Sequence, residues 1–329
     1  MFRQRFTIGL ALVLFIAAVY SIFYFKLFSV PGHHEKSITV VLKSLNVRSD
    51  FWQAVRAGSE AAAKETGLSL SVQGPLQEGD ADEQIHALEE AIREKPQAIV
   101  VAPYADDRMP ALFEQIRDEG IKLVVIDTPL EMKSAPVVVS NNHVEAGRLA
   151  GETAVNETKR KPVIAIISDD ADATISKERL QGLKHALERY KNSIIGVYYA
   201  EQSEDKAYEI AKKLQTGDGQ SFNTFITMNE SATIGVAKLL KEQNKAGAIK
   251  LIGFDSSFYE IQLLEEGVLN AVIVQKPFNM GYLGVKKALS LIEGTNTAPV
   301  TYIESNVINR KNMYLPENQK LLFPFIENK

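Results

Sequence analysis

Along the chain, short runs of Val, Ile and Leu alternate with longer stretches in which apolar residues recur every third or fourth position. "SITVVLK" at 37–43 precedes a helical pattern over 50–66, "LSLSVQG" precedes one over 80–94, and "QAIVVAP" precedes one over 107–119. "IKLVVID" then closes a first set at Asp127. Continuous apolar runs between amphipathic helices predict buried parallel strands, because a strand covered by helices on both faces has no polar side to show. The cadence breaks at "TPLEMKSAP" (128–136) and resumes. Strand-like "VVVSNN", "VIAIIS", "IIGVYYA", "FNTFITMN" and "IKLIGFDSS" now alternate with helix-like "HVEAGRLAGETAVNE", "ISKERLQGLKHALERY", "EDKAYEIAKKLQ" and "ATIGVAKLLKEQ". The pattern predicts an α/β fold of two doubly wound parallel-sheet lobes, with a seam near Ser140.

The N-terminus departs from this rhythm. Behind Arg3 and Arg5, "TIGLALVLFIAAVYSIFYF" at 7–25 carries no charge, and about 19 apolar residues nearly match the hydrocarbon thickness of a bilayer. The aromatic end, Phe23, Tyr24 and Phe25, favours one retained transmembrane helix over a cleaved signal peptide, which would be shorter and end in small residues; a cut after Ser21 stays open. The two arginines place the N-terminus in the cytoplasm and the remainder outside. Residues 1–36 are thus expected to form a membrane anchor and spacer.

Composition narrows the function. The 329 residues are 45% hydrophobic and 24% charged, enough for two ordinary domains. A formal charge of -4 provides no global basic field for nucleic acid. Cysteine is absent, which removes disulfides, thiolate nucleophiles and cysteine metal ligands. There is no P-loop, no G-x-S-x-G elbow and no H-E-x-x-H, so the reading is of a non-enzyme without cofactor or metal. His33 and His34 sit in the juxtamembrane spacer without further ligands, and "SDDADAT" lacks the alternating oxygens and glycine of an EF-hand.

In open parallel sheets, ligands bind beyond the carboxyl ends of the strands. Asp127 after "LVVI", Asn229 after "FITM" and Asp255 after "LIGF" hold such positions, although Asp and Asn there also serve as helix caps or in Asx turns.

These motifs resemble the bacterial type I periplasmic binding proteins, especially the ribose/galactose-type sugar receptors, whose fold is shared by the ligand lobes of lactose-repressor-like regulators. "NVRSDFWQAVRAGSEAAAKETG" is similar to the opening loop and helix of that family, where paired aromatics, here Phe51 and Trp52, pack on a sugar ring. "KLVVIDT" resembles the strand ending in a sugar-binding Asp. "VSNNHVEAGRLAGE" resembles the first crossing between lobes, "ISKERLQGLKHAL" the helix opening with a ligand-binding Arg, "TMNESATIGVAKLL" the Asn-acid signature, and "LIGFDSS" the Gly-Phe-Asp signature. "EEGVLNAVIVQKPFNMGYLGVKKAL" resembles the return crossing, with Gln275 before a Pro.

The resemblance implies ligand-binding roles for Ser44, Phe51, Trp52, Asp127, Lys177, Asn229, Asp255 and Gln275, with Arg179 close enough to compete for the place of Lys177. It also implies one lobe from 37–140 with 276–302 and another from 141–275 with 303–329, joined by a hinge. Carboxylate and amide groups suit the paired hydroxyls of a neutral polyol, and a flat aromatic suits its C–H face. Where ribose receptors carry Asn after the third strand and Arg after the sheet-end Asp, this chain has Ala102 and Thr128, and Arg48 in a lengthened first loop is available as a replacement cation. The expected ligand is a monosaccharide or related polyol, and the expected partner an ABC permease or a membrane histidine kinase. A repressor would carry a helix-turn-helix where this chain has its apolar span.

Overall fold

The computed structural model describes residues 15–21, 36–130, 135–158, 161–216 and 222–323. Residues 15–21 are helical, and the rest of the apolar segment 7–25, with His33 and His34, lies outside the described residues. The expectation of a transmembrane helix therefore falls mostly outside them. Among the described residues, no helix is long and apolar enough to cross a membrane.

Two six-stranded sheets form the frame. In the first, β1 (Ser37–Val41), β2 (Ser69–Gln73), β3 (Ala98–Val101), β4 (Lys122–Ile126), β5 (Val137–Asn141) and β11 (Val300–Ile303) run in the order β11-β5-β4-β3-β1-β2. In the second, β6 (Ile164–Ser168), β7 (Ile194–Tyr199), β8 (Thr224–Thr227), β9 (Lys250–Phe254), β10 (Ala271–Val274) and β12 (Asn306–Asn309) run β12-β10-β9-β8-β6-β7. Neighbouring strands are parallel, apart from the antiparallel pair of β10 and β12. The chain crosses from the first sheet to the second after β5, returns after β10, and crosses again between β11 and β12.

The first sheet is flanked by α1 (Asp50–Thr66), α2 (Ala81–Glu94), α3 (Met109–Asp118) and, after the return, α9 (Pro277–Ile292). The second carries α4 (His143–Glu157), α5 (Thr174–Ala186), α6 (Glu204–Thr216), α7 (Glu230–Glu242), α8 (Phe258–Glu266) and α10 (Pro316–Leu322). Because strand side chains alternate faces, each sheet feeds two cores. Ile38 and Val40 point into one cluster with Val55, Ala62 and Val285, whereas Val41, Ile99 and Val101 point into the other with Leu88, Phe113 and Ile116. This two-sided burial is why the strands read as unbroken apolar runs.

Candidate functional site

The first wall is built where β1 and β4 end. Asp127 follows Ile126 directly and adopts φ 66°, a left-handed conformation uncommon outside glycine. Its N–H donates to the Val139 carbonyl of β5, which fixes the turn. Lys43, just beyond β1, donates from Nζ to Asp127 Oδ2 at 2.8 Å and to Thr128 Oγ1 at 2.7 Å. The Thr128 hydroxyl donates to the same carboxylate oxygen. The ammonium also lies 5.8 Å from the Trp52 ring centroid and 5.6 Å from that of Tyr104, within cation–π range. Burial pushes the Asp127 carboxyl up, but the charge and hydrogen bond of Lys43 outweigh it and hold the group below its ordinary value.

The second wall repeats the first. Asp255 follows Phe254 of β9 with φ 79°, and its N–H donates to the Ile273 carbonyl of β10. Oδ1 accepts from the Gln275 amide, whose oxygen accepts from Asn141 Nδ2. A hydrogen-bonded row thus runs across both crossing strands into the carboxylate. Burial pushes the Asp255 carboxyl up, and Arg179 and Gln275 offset this only in part. Arg179 of α5 donates to the Met228 carbonyl and lies 4.3 Å from the centroid of the Phe254 ring. Asn229 caps α7, its Oδ1 accepting from the Ala232 N–H at 2.8 Å, while its buried Nδ2 has no partner among the described residues. A cavity of about 400 Å³ opens beside the second wall, lined by Asp50, Phe51 and Ala54 from α1, by Glu230, Asp255 and Phe258, and by Gln275; Asp127 and Lys43 of the first wall do not line it.

Of the residues expected from sequence, Asp127, Asn229, Asp255, Gln275 and Phe51 are placed at these walls. Trp52 is turned into the core of the first lobe, 2% exposed, and its indole N–H donates to Glu78 at 2.9 Å. Ser44 is spent locally: its hydroxyl donates to the Leu76 carbonyl and accepts from the Asn46 N–H. Lys177 is not brought in. Its side chain is 60% exposed and pairs with Asp172 at 3.4 Å. Residues two apart on a helix point about 200° apart, so Lys177 and Arg179 cannot both face the walls, and Arg179 is the buried one. Arg48 is exposed, so it does not replace the missing cation; Lys43 supplies that charge.

Sequence reasoning missed Lys43, Asn141 and His143. Lys43 was signalled only by a charge after "ITVVL", two residues beyond β1 and level with Asp127 across the sheet.

The family described as "Periplasmic binding protein domain" matches residues 38–296. The chain is similar to the D-ribose/D-allose-binding protein of Pseudomonas aeruginosa, 24% identical over 266 residues covering 78% of this chain and 82% of that protein. It is similar to the D-allose-binding periplasmic protein of Escherichia coli, 22% identical over 256 residues covering 75% and 81%. Among solved structures it resembles GanP, a glucose-galactose binding protein from Geobacillus stearothermophilus, at 30% identity and TM-score 0.77, covering 85% of this chain and 99% of that one. It also resembles an ABC transporter solute binding protein from Agrobacterium vitis with bound D-fucose, at 26% identity and TM-score 0.78, covering 87% and 99%.

Proposed function

The chain belongs to the periplasmic binding protein family, of the type I sugar-binding kind, and from that premise we propose that it is an extracytoplasmic receptor closing its two lobes around a neutral monosaccharide. The observation that carries this reading is the repeated strand-end carboxylate: Asp127 and Asp255, each in a left-handed turn locked to the next strand, one on either wall. A carboxylate accepts hydrogen bonds from vicinal hydroxyls, and charge-assisted bonds of this kind are roughly twice as strong as neutral ones. Asn229 and Gln275 add amides that both donate and accept, and Phe51 offers an apolar face. Lys43 holds Asp127 ionised and adds a donor of its own.

The lobes in this reading are 37–140 with 276–302 and 141–275 with 303–329. The apolar segment 7–25 anchors them to the membrane, and the closed form is presented to an ABC permease or a membrane histidine kinase. A ligand that bridges the lobes shifts their equilibrium toward closure by its differential affinity for that state.

The test is a thermal-shift screen of the full-length chain against pentoses, hexoses and polyols, followed by calorimetry. At least one neutral sugar is expected to raise the melting temperature, since binding to the native state stabilises by mass action. Asp255→Ala is expected to lose binding by about 2–5 kcal/mol while still folding. Unchanged affinity in that variant removes Asp255 from the site, and a wild-type chain indifferent to every sugar overturns the reading.

A further inference from the structure

His143 opens α4 at the first crossing between the lobes, and it is 1% exposed. Neither ring nitrogen has a hydrogen-bond partner among the described residues. The Asp127 main chain approaches the ring without the geometry of a hydrogen bond, and the charged groups acting on it come from both lobes: Lys43 and Asp127 from the first, Arg179 from the second. His143 stands two residues beyond Asn141, whose amide joins the first crossing to Gln275 and through it to Asp255. Burial, then Arg179, push the imidazole pKa down to about 3, so the ring stays neutral and offers one N–H donor and one bare nitrogen acceptor.

Native interiors rarely leave such groups unmatched, yet His143 is not isolated in this. Asn141 Oδ1, Arg179 Nε, Asn229 Nδ2 and Ser168 Oγ are also buried without partners among the described residues, and they come from the same crossing, from α5, and from the ends of β8 and β6. Donors and acceptors interleaved in this way match hydroxyl groups, each of which donates once and accepts. They do not match a carboxylate or phosphate, which only accepts.

Resting on the receptor reading above, we propose that His143 is a specificity-determining residue that contacts the ligand, its neutral ring hydrogen-bonding one hydroxyl of a neutral sugar on the hinge side of the cleft. Phe would keep the ring's bulk and remove both nitrogens; Asn would keep a donor and an acceptor at a shorter reach.

The experiment uses the full-length chain with D-ribose, D-allose, D-glucose, D-galactose, D-fucose and D-arabinose as probes, then the monodeoxy analogues of whichever binds tightest. His143→Phe is expected to melt without sugar at or above the wild-type temperature, and to bind the tightest sugar at least tenfold more weakly, which is about 1.4 kcal/mol. One monodeoxy analogue, lacking the hydroxyl the ring meets, is expected to bind wild type and variant alike, a result that a merely structural role does not produce. Wild-type affinity in His143→Phe, or an equal loss with every analogue, overturns the assignment while leaving the receptor reading intact. If His143→Phe does not fold, His143→Asn decides: it is expected to change the ranking among the probe sugars, and an unchanged ranking overturns the proposal. A wild-type chain that binds none of the sugars removes the receptor reading and this assignment together.

Discussion

Asp127 and Asp255 show how one residue type serves two electrostatic states. Both accept a left-handed backbone, which costs on the order of 1 kcal/mol outside glycine and aims each carboxylate away from its strand. Asp127 faces an ammonium that holds its carboxyl below the ordinary value; Asp255 is pushed above its own by burial and by Asp127, with Arg179 and Gln275 pulling it back toward the ionised form. Lys43→Met is expected to lower unfolding stability by about 3–5 kcal/mol in urea, because it leaves a buried carboxylate uncompensated; adding Asp127→Asn should recover part of the loss. The folded pKa of Asp127 lies below the unfolded one, so its contribution is present above the ordinary 3.8 and is lost as pH falls through the lower folded value. A wild-type acid limb that Lys43→Met leaves unaltered would remove this pair from the account. Asp127, Asp255 and Gln275, unlike Asn141, which is hidden as the last residue of β5, were legible in the sequence because they follow strands directly. Lys43 was not, since a lysine after a strand ordinarily reaches water, and only the partner brought by β4, more than eighty residues on, makes it an interior group. The choice between Lys177 and Arg179 turned on helix phase, which a one-residue uncertainty in helix start is enough to blur.

At the scale of elements, each lobe rests on one pair of helices in near contact. A methyl group on Gly147 of α4 would strike the Arg179 carbonyl of α5, and one on Gly182 of α5 would strike the Val144 carbonyl of α4. In the other lobe, Gly58 of α1 faces the Phe278 carbonyl of α9, and Gly281 of α9 faces that of Val55. Backbone oxygens cannot retreat as flexible side chains do, so Gly147→Ala and Gly281→Ala are each expected to cost about 1–3 kcal/mol or more, read as a lower urea midpoint. Gly120→Ala, with open space around the position, is the contrast for crowding, although its φ of 75° carries backbone strain of its own. The glycines were visible as a pattern, but their partners were not. The strand and helix cadence was likewise legible from 37 to 257. The short edge strands β11 and β12 were missed, because "VTYI" and "NVIN" mix polar and apolar positions where one side of the strand has no neighbour to bury it. The helix α8 passed unread beside them, although Ser257 and Glu260 form a capping box at its start.

For the whole molecule, the meeting of the lobes gathers acids. Asp50 of the first lobe accepts a hydrogen bond from the Phe258 N–H of the second and stands near Glu230, whose carboxyl is pushed up to about 7 by burial, then by Asp255, with Asp50 and Glu204 adding and Ser257 opposing. The buried Glu260 is pushed up as well, by burial, Asp255 and Glu230. In the receptor reading, where opening returns Glu230 to water, closure is expected to take up a proton between the ordinary 4.5 and about 7. Sugar affinity is therefore expected to be greatest at the acid end of that window and to decline as pH rises through it. Glu230→Gln should flatten the profile in calorimetry at several pH values; an unchanged slope would assign the proton elsewhere.

The three crossings between the sheets carry a consequence for how the chain is made. Residues 277–292 supply a covering helix to the first sheet, and residues 300–303 supply its edge strand, so the half that begins nearest the N-terminus is still missing parts when most of the protein has left the ribosome. Neither half can finish early and lock, as a lobe encoded in one continuous stretch would. A nascent chain wired in this way completes neither sheet until residues 300–309 have emerged, an order that suits a polypeptide folding after it has crossed a membrane. The same wiring means that a chain ending near residue 270 loses parts of both halves rather than keeping one.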